Sequence, residues 1–412
     1  MTRAARRLQM VRVGYCCGVS TSPLPRRTST IPGFVSALLT AGAIAAMPII
    51  ARHVDGSADE FTGRRFAVLP ALGWVVCAAL LAVVVTRWLQ RLTSVEAGPG
   101  LALAYDGLPV LLVAAWGVAL LAGLTGHWLL ATVAGALCGY HVALLVPRLL
   151  SSVTPPWVRH APRFRLLVAN VFIDNKTPEA AAQQLVESGS DVVIIVESTR
   201  PFMTLFDRLG GRSAYPTRVF DPDDTSDYAV TIATSHELGP RSEVRVIGPL
   251  RVAIADIEVG GVATLVVALN PMATVDPNGL ETWKQQIAAL AELLPTLAGP
   301  MVVAGDLNTT RYRPGFEEIL ALGLHDAIDS LGKGLNPSFK VSASGPLAVA
   351  PLVRLDHALA DDDVHSVAMR NLDACGSDHV PFEIELAVRP PHAHRHLRHA
   401  RPRPDDAATT PR

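Results

Sequence analysis

The chain has 412 residues, a formal net charge of −1, 50% hydrophobic and 18% charged residues, and a mean hydropathy of +0.31. Soluble domains carry about 25% charged residues, so these values exclude a wholly soluble globular protein, and the apolar content excludes a wholly disordered one. Five scattered cysteines exclude a small domain stapled by disulfides.

At about 150 residues per domain, the length predicts two or three units. The charge divides them. Residues 1–162 hold 13 Lys and Arg against 5 Asp and Glu, residues 163–390 hold 18 against 30, and residues 391–412 hold 5 against 2. A basic, apolar front precedes an acidic body and a short basic tail.

A basic segment at 1–30 leads into the apolar front. A bilayer-crossing helix needs about 20 apolar residues, and four stretches approach that length: 31–51, 66–88, 108–124 and 128–146. Arg87 and Trp88 close the second, Trp128 opens the fourth and Arg148 closes it, as residues at headgroup depth do. The first stretch, with Pro48 inside it, reads as a span or as a signal-type segment. The region 31–150 is therefore expected to be transmembrane, with three or four helices and 151–162 as a linker. With four spans, twelve arginines flank one side and three the other, which places both termini inside. With three spans, the body lies outside.

The body reads as alternating strands and helices. Residues 165–172 form an apolar, β-branched run, a buried strand. Thr177-Pro178-Glu179 starts a helix: a cap, then Pro in the first turn, then an acid near the positive end. Residues 191–196 are a second buried strand that delivers Glu197. Strands are expected at 228–234, 251–258 and 262–269, followed by an amphipathic helix at 279–297 with Trp283, Ile287, Leu290 and Leu294 on one face. Residues 300–304 are a strand that delivers Asp306 and Asn308. A helix starts near Pro314, a strand at 354–359 carries Asp356, a loop at 375–379 carries Asp378 and His379, and a last strand closes the body at 381–388. Mostly antiparallel strands with interspersed helices predict a layered α/β sandwich. The tail 390–412, rich in Pro, His and Arg, has no apolar periodicity and is expected to be disordered.

Polar residues thus sit at the ends of apolar strands: Asn170, Glu197, Asp306, Asn308, Asp356, Asp378 and His379. Oxygen donors of this kind suit a hard divalent cation such as Mg²⁺, with Mn²⁺ as a substitute. Such a cation orients a phosphate and neutralises developing charge. No phosphate-cradling GxxxxGK[ST] loop, GxSxG elbow or HExxH helix occurs.

Read in order, the pieces Asn170 in VANVF, Glu197 in IIVES, Gly305-Asp-Leu-Asn308, Arg354-Leu-Asp-His357 and Ser377-Asp-His-Val-Pro381 resemble the endonuclease/exonuclease/phosphatase superfamily. That group includes deoxyribonuclease I, apurinic endonucleases, neutral sphingomyelinases and inositol polyphosphate 5-phosphatases. The resemblance covers 163–389 and implies a four-layer α-β-β-α sandwich behind a transmembrane helical region. The front also looks like that of bacterial membrane-anchored members, whose body faces outward, against the four-span charge count. The resemblance further implies that Glu197 binds the metal with Asn170 beside it. Asp306 would orient or activate water, Asn308 would hold the phosphate, Asp356 would support the site electrostatically, and His379 would contact the scissile phosphate, oriented or assisted by Asp378. One departure stands out: the strand before the amphipathic helix ends in Asn270, where many members have His. Asn still donates a hydrogen bond but carries no charge.

These features imply a plasma-membrane, Mg²⁺-dependent phosphoesterase acting on a small-molecule or lipid phosphoester. A non-catalytic tethered binding domain is the alternative that Asn270 raises, and a nuclease the third. The acidic body disfavours a nucleic-acid substrate, because such binders neutralise phosphates with Lys and Arg; only Arg311, Arg313, Lys333 and Lys340 offer positive charge near the motifs. No protein partner is implied. His357 is expected to be structural, since it points away from Asp356 on a strand. Tyr215, Tyr312 and Phe339 are expected at the mouth of the site.

Overall fold

The computed structural model describes residues 68–93, 98–220, 228–340 and 351–390. The basic segment 1–30, the stretch 31–51, the acidic residues Asp221, Asp223, Asp224 and Asp227, and residues 391–412 lie outside the described residues.

The apolar front is helical: α1 (Val68–Thr93), α2 (Pro99–Asp106), α3 (Leu108–Leu124) and α4 (Trp128–Leu149). Segments Leu69–Leu92 and Trp128–Leu149 are long and apolar enough to cross a membrane, and α2 with α3, bent by 69° at Gly107, makes a third if the pair is one span. Helices α1, α3 and α4 each turn a small-residue or leucine face inward: Cys77, Leu112 and Ala134 meet in one cluster. Leu72, Val113, Trp116, Leu120 and Trp128 point outward and are exposed.

The body contains two six-stranded sheets among the described residues. The strands are β1 (Arg163–Asn170), β2 (Val192–Val196), β3 (Thr217–Phe220), β4 (Val230–Thr234), β5 (Glu243–Ile247), β6 (Leu250–Val259), β7 (Val262–Leu269), β8 (Met301–Asp306), β9 (His325–Asp326), β10 (Asp356–Ala360), β11 (Val364–Asn371) and β12 (Phe382–Val388). One sheet runs β11-β12-β1-β2-β4-β3 and the other β5-β6-β7-β8-β10-β9. The helices longer than one turn are α5 (Pro178–Glu187), α6 (Arg200–Arg208), α7 (Pro277–Leu293) and α8 (Pro314–Leu320).

Period-two side-chain alternation builds the layers. Leu166, Val168, Val192 and Ile194 face the second sheet, in a cluster shared with Ala253 and Val266. Their neighbours Leu167, Ala169, Val193 and Ile195 face the other way, against Leu185 of α5 and Phe206 of α6. On the second sheet, Val252, Ile254 and Val267 pack under Trp283, Ile287 and Leu290 of α7. Three apolar layers separate four structural ones. The chain therefore adopts the α-β-β-α sandwich.

Most pairs are antiparallel, but β1 with β2 and β7 with β8 are parallel. Each parallel pair is joined by a crossover helix, α5 or α7, as such connections require. The consequence is positional: the C-terminal ends of β1, β2, β7 and β8 lie at one end of the sandwich. Elements with no counterpart in the sequence reading have weak local signals. β5 is an edge strand whose residues are half-exposed or exposed. β11 shifts register between Ser366 and Ala368, which breaks its alternation. The segment 151–162 is folded rather than extended: Pro156–Arg159 forms a 3₁₀ turn, and Val158 is buried against Ala387.

Candidate active site

The two sheets bring the motif residues to one place. Asn170 ends β1 and Glu197 follows β2. The Asn170 side chain donates through Nδ2 to Glu197 Oε1 (2.9 Å) and to Asp306 Oδ2 (3.1 Å). Asp306 ends β8 and pairs in register with Asp356, which opens β10. His379 comes from the loop before β12. Its Nδ1 lies 2.7 Å from Asp356 Oδ2 and its Nε2 lies 3.6 Å from Asp306 Oδ2. Asn170, Asp306, Asp356 and His379 are all buried.

Backbone geometry fixes these side chains. Glu197 and Asn308 have φ of 60° and 49°. Left-handed backbone costs a non-glycine residue energy and collects at functional sites. Glu197 is held by the Ile173 N–H, which donates to Oε2 at 2.6 Å. Asn308 is held on two sides: its N–H donates to Asp306 Oδ1 (2.9 Å), and its Nδ2 donates to Asn270 Oδ1 (3.2 Å) and the Pro271 carbonyl (2.9 Å). Ser377 ties the histidine loop to β1: its hydroxyl donates to the Asn170 carbonyl (2.8 Å) and accepts from the His379 N–H (3.0 Å). Ser338 Oγ accepts from the Asp356 N–H at 3.1 Å. The Phe339 ring covers the His379 ring at 5.0 Å between centroids.

The electrostatics follow from burial and crowding. Burial pushes the Glu197 carboxyl up to about 7, with the Asp306 charge adding to it. Burial likewise raises Asp306 to about 6, aided by Asp356 and opposed by His379. For His379 burial favours the neutral ring, but the charges of Asp356 and Asp306 outweigh it and carry the ring up to about 10. The imidazolium thus lies between two carboxylates.

Asp306, Asp356 and His379 offer ligand-type atoms within 4.8 Å of one another. Their hydrogen bond makes that trio a poor cage, since His379 Nδ1 is already engaged. Glu197 and Asp306 fit a hard cation better: they are oxygen donors, half-buried and buried respectively, held close by one shared amide and raised in pKa by burial. Asp356 Oδ1 and Asp378 Oδ1 are also buried without a hydrogen-bond partner.

Some expectations change. The group that orients the His379 ring is Asp356, not the adjacent Asp378, because Asp378 reaches the ring only through its charge. Tyr215 does not line a mouth: it is 1% exposed, stacked on Phe206, and donates to the Leu185 carbonyl. Tyr312 is buried under the Arg148 guanidinium, 4.7 Å from its ring centroid. His357 is structural, fully buried between Asp326 Oδ2 (3.1 Å) and the Thr309 carbonyl (3.0 Å). Three of the four local cations are committed inside the fold: Arg311 pairs with Asp329, Arg313 with Asp106, and Lys333 Nζ donates to the Met369 carbonyl. Lys340 lies beside Asp378, to whose carbonyl its backbone N–H donates at 2.9 Å. Asp106 and Thr274, both in this neighbourhood, escaped the sequence reading because neither lies in a recognisable motif.

A sequence model of the endonuclease/exonuclease/phosphatase family matches residues 167–379, just over half of the chain. The chain belongs to this family. Every site residue named above lies within the matched stretch. Among solved structures, an endonuclease/exonuclease/phosphatase from Beutenbergia cavernae is 16% identical over 55% of this chain and 72% of that one, with a TM-score of 0.43. A humanised TDP2 from D. rerio is 18% identical over 55% and 99%, with a TM-score of 0.46. A sphingomyelinase C from Streptomyces griseocarneus is 17% identical over 54% and 99%, with a TM-score of 0.41. No curated protein matches the chain. Members of the family are typically phosphoesterases.

Proposed function

We propose that this family member is a membrane-anchored phosphoesterase that uses a divalent cation, Mg²⁺ or Mn²⁺, and hydrolyses a small-molecule or lipid phosphoester by in-line attack of water. The observation that carries the reading is the convergence of Glu197 and Asp306 on one Asn170 amide, with the Asp356–His379 pair 3.6 Å across the site.

The roles follow from the chemistry. Glu197, steadied by Asn170, would hold the cation, which supplies orientation and charge neutralisation for the phosphate. Asp306, with its carboxyl raised to about 6, is suited to take a proton from the attacking water. The His379 imidazolium is a donor for phosphoryl oxygens, where charge builds in the transition state. Asn308, whose two amide N–H groups go to Asn270 and Pro271, would hold the phosphate by turning one of them to it. Asp356 keeps the ring charged and aimed; Asp378 adds to the field. Asn270 serves through Asn308, whose amide it accepts. The substrate is small or lipidic rather than a nucleic acid, because the arginines beside the site are spent on Asp106, Asp326 and Asp329. The apolar helices keep the body at a membrane, on a side set by the number of spans.

Asn270 in place of the frequent His favours a second reading, a binding domain without turnover. The test is metal-dependent release of nitrophenol from mono- and bis-(p-nitrophenyl) phosphate by the full chain in detergent, with Asp306→Ala as the blank. Turnover that vanishes in the blank supports the phosphoesterase. Equal turnover in Asp306→Ala sinks the assignment. No turnover on these probes or on phospholipid vesicles favours the binding domain.

A further inference from the structure

The apolar helices do more than stand beside the body. Arg87 of α1 donates to the Tyr312 carbonyl and to Glu317 Oε1 (3.1 Å), and Arg91 to Glu317 Oε2 (2.6 Å). The deepest contact comes from Asp106, the last residue of α2. Its Oδ1 accepts from the Thr310 N–H (3.1 Å) and from the Thr310 hydroxyl (2.9 Å). Its Oδ2 pairs with the Arg313 guanidinium. Arg313 Nη1 in turn donates to Thr274 Oγ1 at 2.8 Å. Asp106, Thr274, Thr310 and Arg313 are all buried.

These contacts close a ring around two loops of the site. Thr310 lies two residues after Asn308. Thr274 lies in the loop that begins with Asn270 and Pro271, the two acceptors of the Asn308 amide. Asn308 therefore joins the loops at their near ends, and Asp106 joins them through Thr310 and Arg313 at their far ends. The Arg313 guanidinium also sits 5.6 Å over the Trp283 ring, and Trp283 Nε1 donates to the Leu307 carbonyl (2.9 Å), next to Asn308. Asn308 holds a left-handed backbone, φ 49°, which persists only where its surroundings over-determine it.

We infer that Asp106 is a positioning residue: the apolar region supplies the pin that holds the Asn308 and Asn270 loops in their working geometry. The role in turnover rests on the phosphoesterase reading; the role in loop order does not. The body without α2 would carry Arg313 buried with no counter-charge, so the membrane helices are a structural part of the site.

The test uses the full chain in detergent and two independent readouts. The first is backbone hydrogen exchange. Asp106→Ala should raise deuterium uptake in 270–276 and 307–313 while β1 and β12 stay protected. Because that variant strands Arg313, the double replacement Asp106→Leu/Arg313→Met, which leaves no unpaired charge, should do the same. Arg91→Met, which breaks only an outer contact, should change neither loop. Unchanged uptake in both loops, or equal loosening by Arg91→Met, overturns the inference. The second readout is a double-mutant cycle in kcat. Asp106→Ala alone should cost about tenfold to a hundredfold, as loss of a supporting partner does. In an Asn308→Ala background it should cost almost nothing more, because its effect runs through Asn308. A full, multiplying loss in that background means a general structural role and rejects the pin. A wild-type chain with no turnover counts against the phosphoesterase reading, and exchange then decides the pin by itself.

Discussion

Asp356 and His379 meet at 2.7 Å, Oδ2 to Nδ1, although Asp356 opens a strand of one sheet and His379 precedes a strand of the other. Each sheet contributes one partner, so the pair exists only when the sandwich is closed. Its geometry assigns the ring nitrogens: Nδ1–H goes to Asp356 and Nε2 faces Asp306.

If Asp356 acts through the ring, its loss and the loss of the ring should not add. His379→Asn should lower kcat by about 10²–10³-fold, the cost of one donor to developing charge. Asp356→Asn should lower it less. The double variant should be no slower than His379→Asn alone. Steady-state kinetics on the three variants check this, and multiplying losses would show that Asp356 has a separate task.

Asn170 touches both carboxylates assigned to the cation side, so its removal should be read in metal dependence. Asn170→Ala should raise the Mg²⁺ concentration for half-maximal turnover by about 10–100-fold, as loss of an outer-shell partner does. Chelation should abolish turnover and added Mg²⁺ restore it. A metal titration unchanged by Asn170→Ala would falsify this placement.

Gly305 precedes Asp306 with φ of 143°, and a Cβ there would stand 2.1 Å from the Leu269 carbonyl. No side chain fits, because backbone atoms of β7 cannot yield without breaking its pairing with β8. Gly305→Ala should therefore lower the melting temperature of the full chain by several degrees, with strain of at least about 1–3 kcal/mol, and remove turnover. A melting temperature equal to wild type contradicts the close approach of the two strands.

Asp326 gives a pH dependence. Burial raises its pKa, but Arg354, at 2.6 Å, and His357, at 3.1 Å, outweigh burial and hold the carboxyl well below the usual range. A carboxyl with a depressed folded pKa contributes stability above its unfolded pKa of about 3.9, and that stability is lost as pH falls. Asp326→Asn should destabilise the protein at pH 7 by less than the about 3–5 kcal/mol of a fully stranded buried charge, since Arg354 loses one buried partner but keeps Asp329 at 3.0 Å. The gap in melting temperature between the two proteins should narrow on acidification from pH 5 towards pH 3. A gap that widens over that range refutes the assignment.

Much of the architecture was legible in the chain because its signals are local. The runs around Val168, Ile194 and Val303 are short, apolar and β-branched, and the structure places a strand at each. Thr177-Pro178-Glu179 marks the start of α5. The helix expected at 279–297 is α7, which begins earlier, at Pro277 with Asp276 Oδ1 capping two amides, and ends at Leu293. Glu197 and Asp306 stand where buried strands end, and a polar residue at the end of an apolar run is visible without coordinates. β5, β11 and α6 were not visible, since an edge strand, a bulge and a nine-residue helix leave no clean period.

Partners were a different matter. Asp378 is next to His379 in the chain, yet Asp356, 23 residues away, holds the ring. Tyr215 looked like a loop residue and lies in the core against Phe206. Asp106 carries no motif and is bound to Arg313, 207 residues later. Local pattern sets which residues form a strand, a helix or a strand end, because propensity and periodicity act over a few residues. Which of those ends face one another depends on how two sheets stack and how four helices dock on them, and those contacts join residues that no short stretch of sequence brings together.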